Sequence, residues 1–240
     1  MLLALSLPTG KLCAQGGPPM VTDDPDTPGD NHWEINLAAE AQRTRGVWNY
    51  DLPDADINYG LGEHLQLKID TPWALQANDG AGVHSGLGTT ELGVKWRFVD
   101  REQAGFSASI YPQLSINLMQ SSPRRGLTEP GKSWFLPLEI STEFDGFGLA
   151  AEAGRDISAH GGDQWIGGGV LAHACPAGIE CLLEVHQRWS RSDPQTLLSL
   201  GMRRELSKTF VLLAAFAREV GPQTDDRLNF SAYLGVQILR

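Results

Sequence analysis

Polar and apolar residues alternate one by one along most of this chain. The final segment shows it most clearly: Leu228, Phe230, Ala232, Leu234, Val236 and Ile238 interleave with Asn229, Ser231, Tyr233, Gly235 and Gln237. A period of two places one set on each face of a β-strand. The same alternation runs through residues 106–118, 65–70 and 92–98. Along the last two, Lys68, Asp70, Glu91, Lys95 and Arg97 put full charges on the polar face. A charged face backed by leucine, isoleucine and valine, in runs near ten residues long, suits a tilted strand crossing a hydrocarbon layer.

Read in this way, the chain predicts strands at 32–42, 51–61, 64–73, 86–98, 105–118, 133–144, 147–155, 163–174, 180–190, 195–205, 209–219 and 227–239. Their connections alternate in length. Those at 62–63, 99–104, 145–146, 175–179 and 206–208 are compact, while 74–85 and 119–132 are long and rich in Gly, Pro, Ser or Asn. Bacterial barrels have this parity, with short periplasmic turns and longer external loops. A soluble sandwich has no reason for it. Asp145-Gly146, set between Phe144 and Phe147, is a two-residue hairpin signal on a predicted tight turn. The expected fold is all-β: a transmembrane up-and-down antiparallel β-barrel of about twelve strands, occupying residues 32–240.

Composition adds constraints. No apolar run approaches the roughly 18 residues that a membrane-spanning helix needs, and 27 glycines and 14 prolines suit many short strands. A formal net charge of −10 excludes a basic nucleic-acid surface. Residues 1–7 are apolar, and Leu12-Cys13-Ala14-Gln15 offers a cleavage site after Ala14. Residues 1–14 are therefore expected to be a signal peptide and 15–31 a periplasmic N-terminal segment, with the barrel in the bacterial outer membrane. The partners expected are outer-membrane lipid, the barrel-assembly machinery during insertion and an unknown small solute, with no nucleic acid and no cofactor. The closing residues Tyr233 to Arg240 resemble the insertion signal of outer-membrane barrels, although Arg240 stands where that signal usually ends on an aromatic residue.

Two stretches also resemble a family. Gly17-Pro18-Pro19-Met20-Val21-Thr22-Asp23-Asp24-Pro25, then Thr27-Pro28-Gly29 and His32-Trp33-Glu34-Ile35-Asn36, resembles the opening of outer-membrane proteins named for transport in the phenol-degradation meta pathway. The run from Asp56 to Lys68 resembles that family's second and third strands. The resemblance covers about the first third of the chain and implies a barrel with a transport role. Three acids among Asp23, Asp24 and Asp26 read as an acidic turn ahead of the first strand, with capping of the lumen or cation binding as alternatives; no metal is expected, because calcium would want more oxygen ligands in a set geometry.

Cys175 and Cys181 flank Pro176-Ala177-Gly178 at a predicted turn, and in an exported protein such a pair is expected to close a hairpin as a disulfide, with two reduced thiols as the alternative. Neither zinc spacing nor a Gly-x-Ser-x-Gly elbow occurs. The histidines at 32, 64, 84, 160, 173 and 186 form no serine–histidine pattern, so no enzyme and no catalytic residue is expected. Mapping the alternation inward gives a lumen lined by Glu34, Asp56, Asn58, Lys68, Asp70, Glu91, Lys95, Arg97, Tyr111, Gln113, Glu139, Glu143, Glu184, His186 and Arg188. About twelve strands leave a narrow lumen, between the filled eight-stranded barrel and the wide porin. The function expected is a passive channel for a small solute, aromatic or otherwise hydrophobic. The alternatives are a sealed structural or adhesive barrel and a soluble secreted β protein. Outward Trp33, Trp73, Trp96, Trp134 and Trp189 fall toward strand ends, where indole rings meet lipid headgroups, although core packing would explain them equally.

Overall fold

The computed structural model describes residues 16–240 apart from 79, 81, 161, 191–193 and 222–226; the predicted signal peptide, with Cys13, lies outside the described residues. The chain runs through β1 (Trp33–Arg43), β2 (Val47–Leu61), β3 (Leu65–Asp70), β4 (Trp73–Asn78), β5 (Gly82–Leu87), β6 (Thr90–Val99), β7 (Phe106–Ile110) and β8 (Gln113–Ile116). It continues with β9 (Lys132–Phe144), β10 (Phe147–Ser158), β11 (Gln164–Cys175), β12 (Ile179–Trp189), β13 (Gln195–Glu205), β14 (Phe210–Val220) and β15 (Phe230–Leu239). All pairings are antiparallel, and β1 pairs with both β2 and β15, which closes the sheet on itself. Three crossings are each broken in two, β3 with β4, β5 with β6 and β7 with β8, so the fifteen segments form a closed barrel of 12 antiparallel strands. Reciprocal hydrogen bonds between Trp33 and Arg240 finish the seam.

Sequence dictates the breaks. Pro72 and Pro112 lack the N–H that a ladder needs, and they interrupt the third and fifth crossings after Asp70 and Ile110. Pairing resumes beyond each break: β4 rejoins β2, with Ala74 opposite Asp51, and β8 joins β6, with Gln113 opposite Gly93. The loop expected at 74–85 is consequently a hairpin of β4 and β5. Its inward positions, Ala74, Gln76, His84 and Gly86, are too small or too mildly polar to have announced an alternating strand. The loop at 119–132 contains a helical turn, α2 (Ser121–Arg124), and folds back against β5. Ser122 is buried there and donates to the Leu87 carbonyl at 2.6 Å. The Asp145-Gly146 turn forms as expected, with φ of 49° and 77°, the positive pair that matches strand twist in a two-residue hairpin.

The faces are inverted relative to a soluble protein. Leu67, Val94, Leu138, Ile140, Leu183, Val185, Leu200 and Leu234 are exposed on the outer wall, while Asn58, Gln66, Lys95, Ser109, Gln113, Glu139, Glu152 and Glu184 are buried inside. Exposed aromatic rings cluster toward the two rims. Trp33, Trp96, Phe98, Phe106, Phe144, Phe147 and Phe210 stand near the end bearing the termini, and Trp73, Trp134, Trp165, Trp189 and Phe230 nearer the opposite, loop end. An eleven-residue strand such as β1 at ~3.3 Å per residue and ~40° tilt rises about 28 Å, close to the hydrocarbon thickness of a bilayer.

Candidate functional site

Residues 16–31, within the expected N-terminal segment ahead of the barrel, make most of their contacts with the inner wall. They enter the lumen from the end bearing the termini and fill much of its cross-section. Thr22, Asp24 and Met20 are buried, and Met20 joins a small apolar cluster with Ala150, Val170, Ala172, Leu182 and Ala215. This plug has no helix or strand of its own, and beyond turn bonds such as the Gly17 amide to the Thr22 carbonyl its backbone groups find partners on the wall.

Lys95 on β6, only 2% exposed, provides the central anchor. Its ammonium donates to Asp23 Oδ1 at 3.0 Å and to the Asp24 carbonyl, and it stands 3.5 Å from Glu139 Oε2 and 4.5 Å from the centre of the Tyr111 ring. Arg203 on β13 is a second anchor, its guanidinium donating to the carbonyls of Gly16, Gly17 and Pro18. On the far wall the Thr22 amide donates to Glu184 Oε1 at 2.6 Å, while Ser199 holds the other oxygen of that carboxylate, and the Asp23 amide donates to Glu152. Nearer the rim Asp26 lies 3.6 Å from Arg97 and 3.8 Å from Arg101 of α1 (Arg101–Ala104), and Thr27 donates to the Glu63 carbonyl. The carboxyls of Asp23 and Asp26 are thus engaged by Lys95, Arg97 and Arg101, that of Asp24 accepts from the Asp26 amide at 2.7 Å, and no group of three metal-ligating side chains occurs among the described residues.

Two of those acids titrate in opposite senses. Burial pushes the Asp23 carboxyl up, but the ammoniums of Lys95 and Lys68 and the Asp24 amide outweigh it and hold the group below the ordinary carboxylate range. Burial raises Asp24 well above that range, and the charges of Asp26 and Asp23 add to the rise.

Glycine makes room for it. A Cβ at Gly168 on β11 would lie 2.0 Å from Thr22 Oγ1, so any side chain there would displace the plug.

What is left of the lumen is divided. A cavity of about 80 Å³ lies against Glu34, Asp56, Asn58, Lys68, Lys95 and Tyr111. A vestibule of about 540 Å³ extends toward the loop end and is lined by Glu40, Asp54, Asp56, Lys68, Asp70, His186, Arg188 and Tyr233. Both are bounded by Gly17, Pro18, Asp23, Asp56 and Lys68, so the plug and one strip of wall separate them.

The fold is that of outer-membrane channel barrels. An outer membrane channel from Pseudomonas putida F1 superposes with a TM-score of 0.70 at 11% identity, over 90% of this chain and 98% of that one. The KdgM porin gives 0.61 at 11% identity and the NanC porin 0.62 at 7%, each over 85% of this chain and 98% of the other. No family model matches the sequence, and no curated protein is recognisably similar to it.

The structure places the remaining expected lumen residues as follows. Glu139 and Glu184 are wholly buried in the inner wall, and the Gln113 amide lies 2.6 Å from Glu91 Oε1. Glu91 also takes the Lys68 ammonium at 2.8 Å, with Asp70 at 3.8 Å from the same nitrogen. Arg97 pairs with Asp100 at 2.9 Å, and Glu143 pairs with Arg101 at the rim. Cys175 and Cys181 are joined as a disulfide across the turn between β11 and β12. The alternation could not single out Arg203, Glu152 and Arg101 as plug anchors, since it says which face a residue takes and not what occupies that face. The available signal was glycine at inward strand positions: Gly60, Gly168 and Gly201 each sit where a Cβ would meet the N-terminal segment.

Proposed function

We propose that this protein is a bacterial outer-membrane channel for passive passage of a small solute, closed in the present state by its own N-terminal segment. The observation that carries the reading is the combination of an apolar outer wall with a polar lumen that holds a vestibule of about 540 Å³ and is interrupted by a plug held through side-chain anchors. That volume falls in the range of small-molecule sites, roughly 300–1,000 Å³. Export through a cleaved signal peptide accords with an outer-membrane address, and the resemblance to phenol-pathway transporters accords with an organic solute.

The multiplicity of anchors also supports a second reading, a sealed structural barrel. Planar-bilayer recording separates the two, using the purified protein beside a variant lacking residues 16–28. The channel reading expects small, infrequent openings from the intact protein and sustained conductance from the deletion. If both are silent in all salts although each barrel is folded and membrane-inserted, the channel reading fails. Recovery of the native protein in the supernatant of a detergent-free carbonate wash would refute both membrane readings.

A further inference from the structure

The outer wall is uneven where β9 to β12 pass through the membrane. Ala151 and Gly169 lie side by side on it between Ile140 and Val185, and Leu149 and Leu171 close the depression on the side of the termini. The result is an apolar cavity of about 360 Å³ on the face that meets lipid. A Cβ at Gly169 would meet only the Ala150 carbonyl, at 3.8 Å, so the floor of this groove is open space. Toward the loop end the same strands change character. Two outward rows beyond Gly169, Arg155 of β10 lies across from Trp165 of β11, which lies across from Trp189 of β12. The Arg155 guanidinium stands 5.3 Å from the centre of the Trp165 ring and donates to Asp163 at 3.2 Å. Asp163 is 44% exposed, and an ion pair so exposed is weak. A guanidinium presents five N–H donors, so the pair leaves others for a second anion. Between arginine and groove, the exposed Ala153 leaves the way along β10 open.

Tryptophan rings mark the headgroup level, and an arginine on a lipid-facing wall is costly unless it reaches that level. Its complement there is a lipid phosphate. From Arg155 to Leu149 the strand covers about 20 Å at ~3.3 Å per residue, which at ~40° tilt is about 15 Å of depth. That is one leaflet of a hydrocarbon core roughly 30 Å thick. We infer that this groove seats one phosphorylated lipid of the outer leaflet, of lipid A chemistry, with a phosphate on Arg155 and an acyl chain laid over Ala153, Ala151 and Gly169. Phosphatidylethanolamine carries its own ammonium beside its phosphate, whereas a lipid A phosphate has no internal counter-ion and gains more from the arginine. The inference goes beyond the channel reading: it requires the loop end to face outward but not an open lumen.

Native mass spectrometry of the full chain in detergent micelles, titrated with lipid A, phosphatidylethanolamine and inorganic phosphate, tests it. One lipid A is expected to bind, at least about tenfold more tightly than phosphatidylethanolamine. Arg155→Gln should weaken that binding about tenfold, the size of one charge-assisted hydrogen bond. Gly169→Leu should weaken it as much, since filling the groove displaces about two methylenes or more. Should that variant fail to fold, Ala151→Leu fills the same groove. Arg218→Gln removes another exposed arginine, opposite Leu198 near the loop end of β14, and should leave binding unchanged. Affinity within twofold of native in either the arginine or the groove variant would overturn the seat, and an equal loss in Arg218→Gln would reduce it to general surface charge. Equal affinity for phosphatidylethanolamine would overturn the lipid A assignment, and displacement by equimolar inorganic phosphate would overturn the groove's part. A barrel silent in bilayers would leave this inference standing, and indifference to lipid would leave the channel reading intact.

Discussion

Replacing Lys95 by methionine should loosen the plug more than any other single wall substitution. Two of the contacts of Lys95, to the Asp23 carboxylate and the Asp24 carbonyl, belong to the plug, and one, to Glu139, belongs to the wall. In the native protein an undocked plug leaves Lys95 still beside Glu139, so undocking leaves no buried charge orphaned. In the variant, docking brings Asp23 into a lumen where Glu139 and Glu152 are already buried and only the lesser pull of the Lys68 ammonium offsets them. Removing one partner of a buried pair costs about 3–5 kcal/mol, which corresponds to a shift on the order of 10²–10³ in the docking equilibrium. Methionine keeps the apolar stem, so packing against Tyr111 is largely retained. Single-channel recording measures the result as open probability, and the heat-modifiable gel shift of barrels reports that the wall is intact. An open probability within twofold of the native value, from a folded barrel, would refute the idea that this contact holds the plug.

Other perturbations follow from the same geometry. Gly168→Ala inserts a methyl where Thr22 now lies at 2.0 Å, and it should raise ion conductance without lowering barrel stability; unchanged conductance would mean that Thr22 is not seated there. Docking should also depend on pH from both sides. Asp24, raised in the docked state, favours docking at pH below its undocked value, and that contribution disappears as pH climbs through the docked one. Asp23, lowered in the docked state, favours docking above its undocked value and loses that contribution as pH falls through the docked one. Open probability should therefore rise toward alkaline pH and again in strong acid, and a monotonic profile in bilayer recordings would contradict this account. Finally, the disulfide closes a turn with a sequence separation of 6, so changing Cys175 and Cys181 to serine should cost no more than about 2–3 kcal/mol of stability and leave conductance alone, as thermal unfolding and recording together would reveal.

The barrel was legible because a wall between lipid and polar lumen forces strict alternation, and strands such as β9 and β13 begin and end within a residue of their expected bounds. Legibility failed where that pressure relaxes. β4 and β5 carry Ala74, Gln76, Gly82 and Gly86 beyond a proline break, and a ladder bonded through backbone alone leaves little trace in side-chain character. The lumen face of Lys95 and Glu139 was equally readable, but their role as plug contacts was not. A segment without periodicity, such as residues 16–31, advertises no docking site of its own. Its position is set by complementarity to distant residues, among them Lys95, Glu184 and Arg203, which only the closed barrel brings together.

The continuity of the plug with β1 has a kinetic meaning. The Asn31 amide donating to the Gly60 carbonyl, the Gly60 amide donating to the His32 carbonyl and the seam at Trp33 fix the end of the segment at the rim, so a released plug stays leashed to its own barrel. Its return is a first-order event at an effective concentration in the millimolar range for a short flexible tether. Closure should accordingly be independent of how many copies share the membrane. A free synthetic peptide of residues 16–31 would have to approach millimolar levels to compete with it, whereas the same peptide should block the truncated barrel at whatever lower concentration its anchors alone can support.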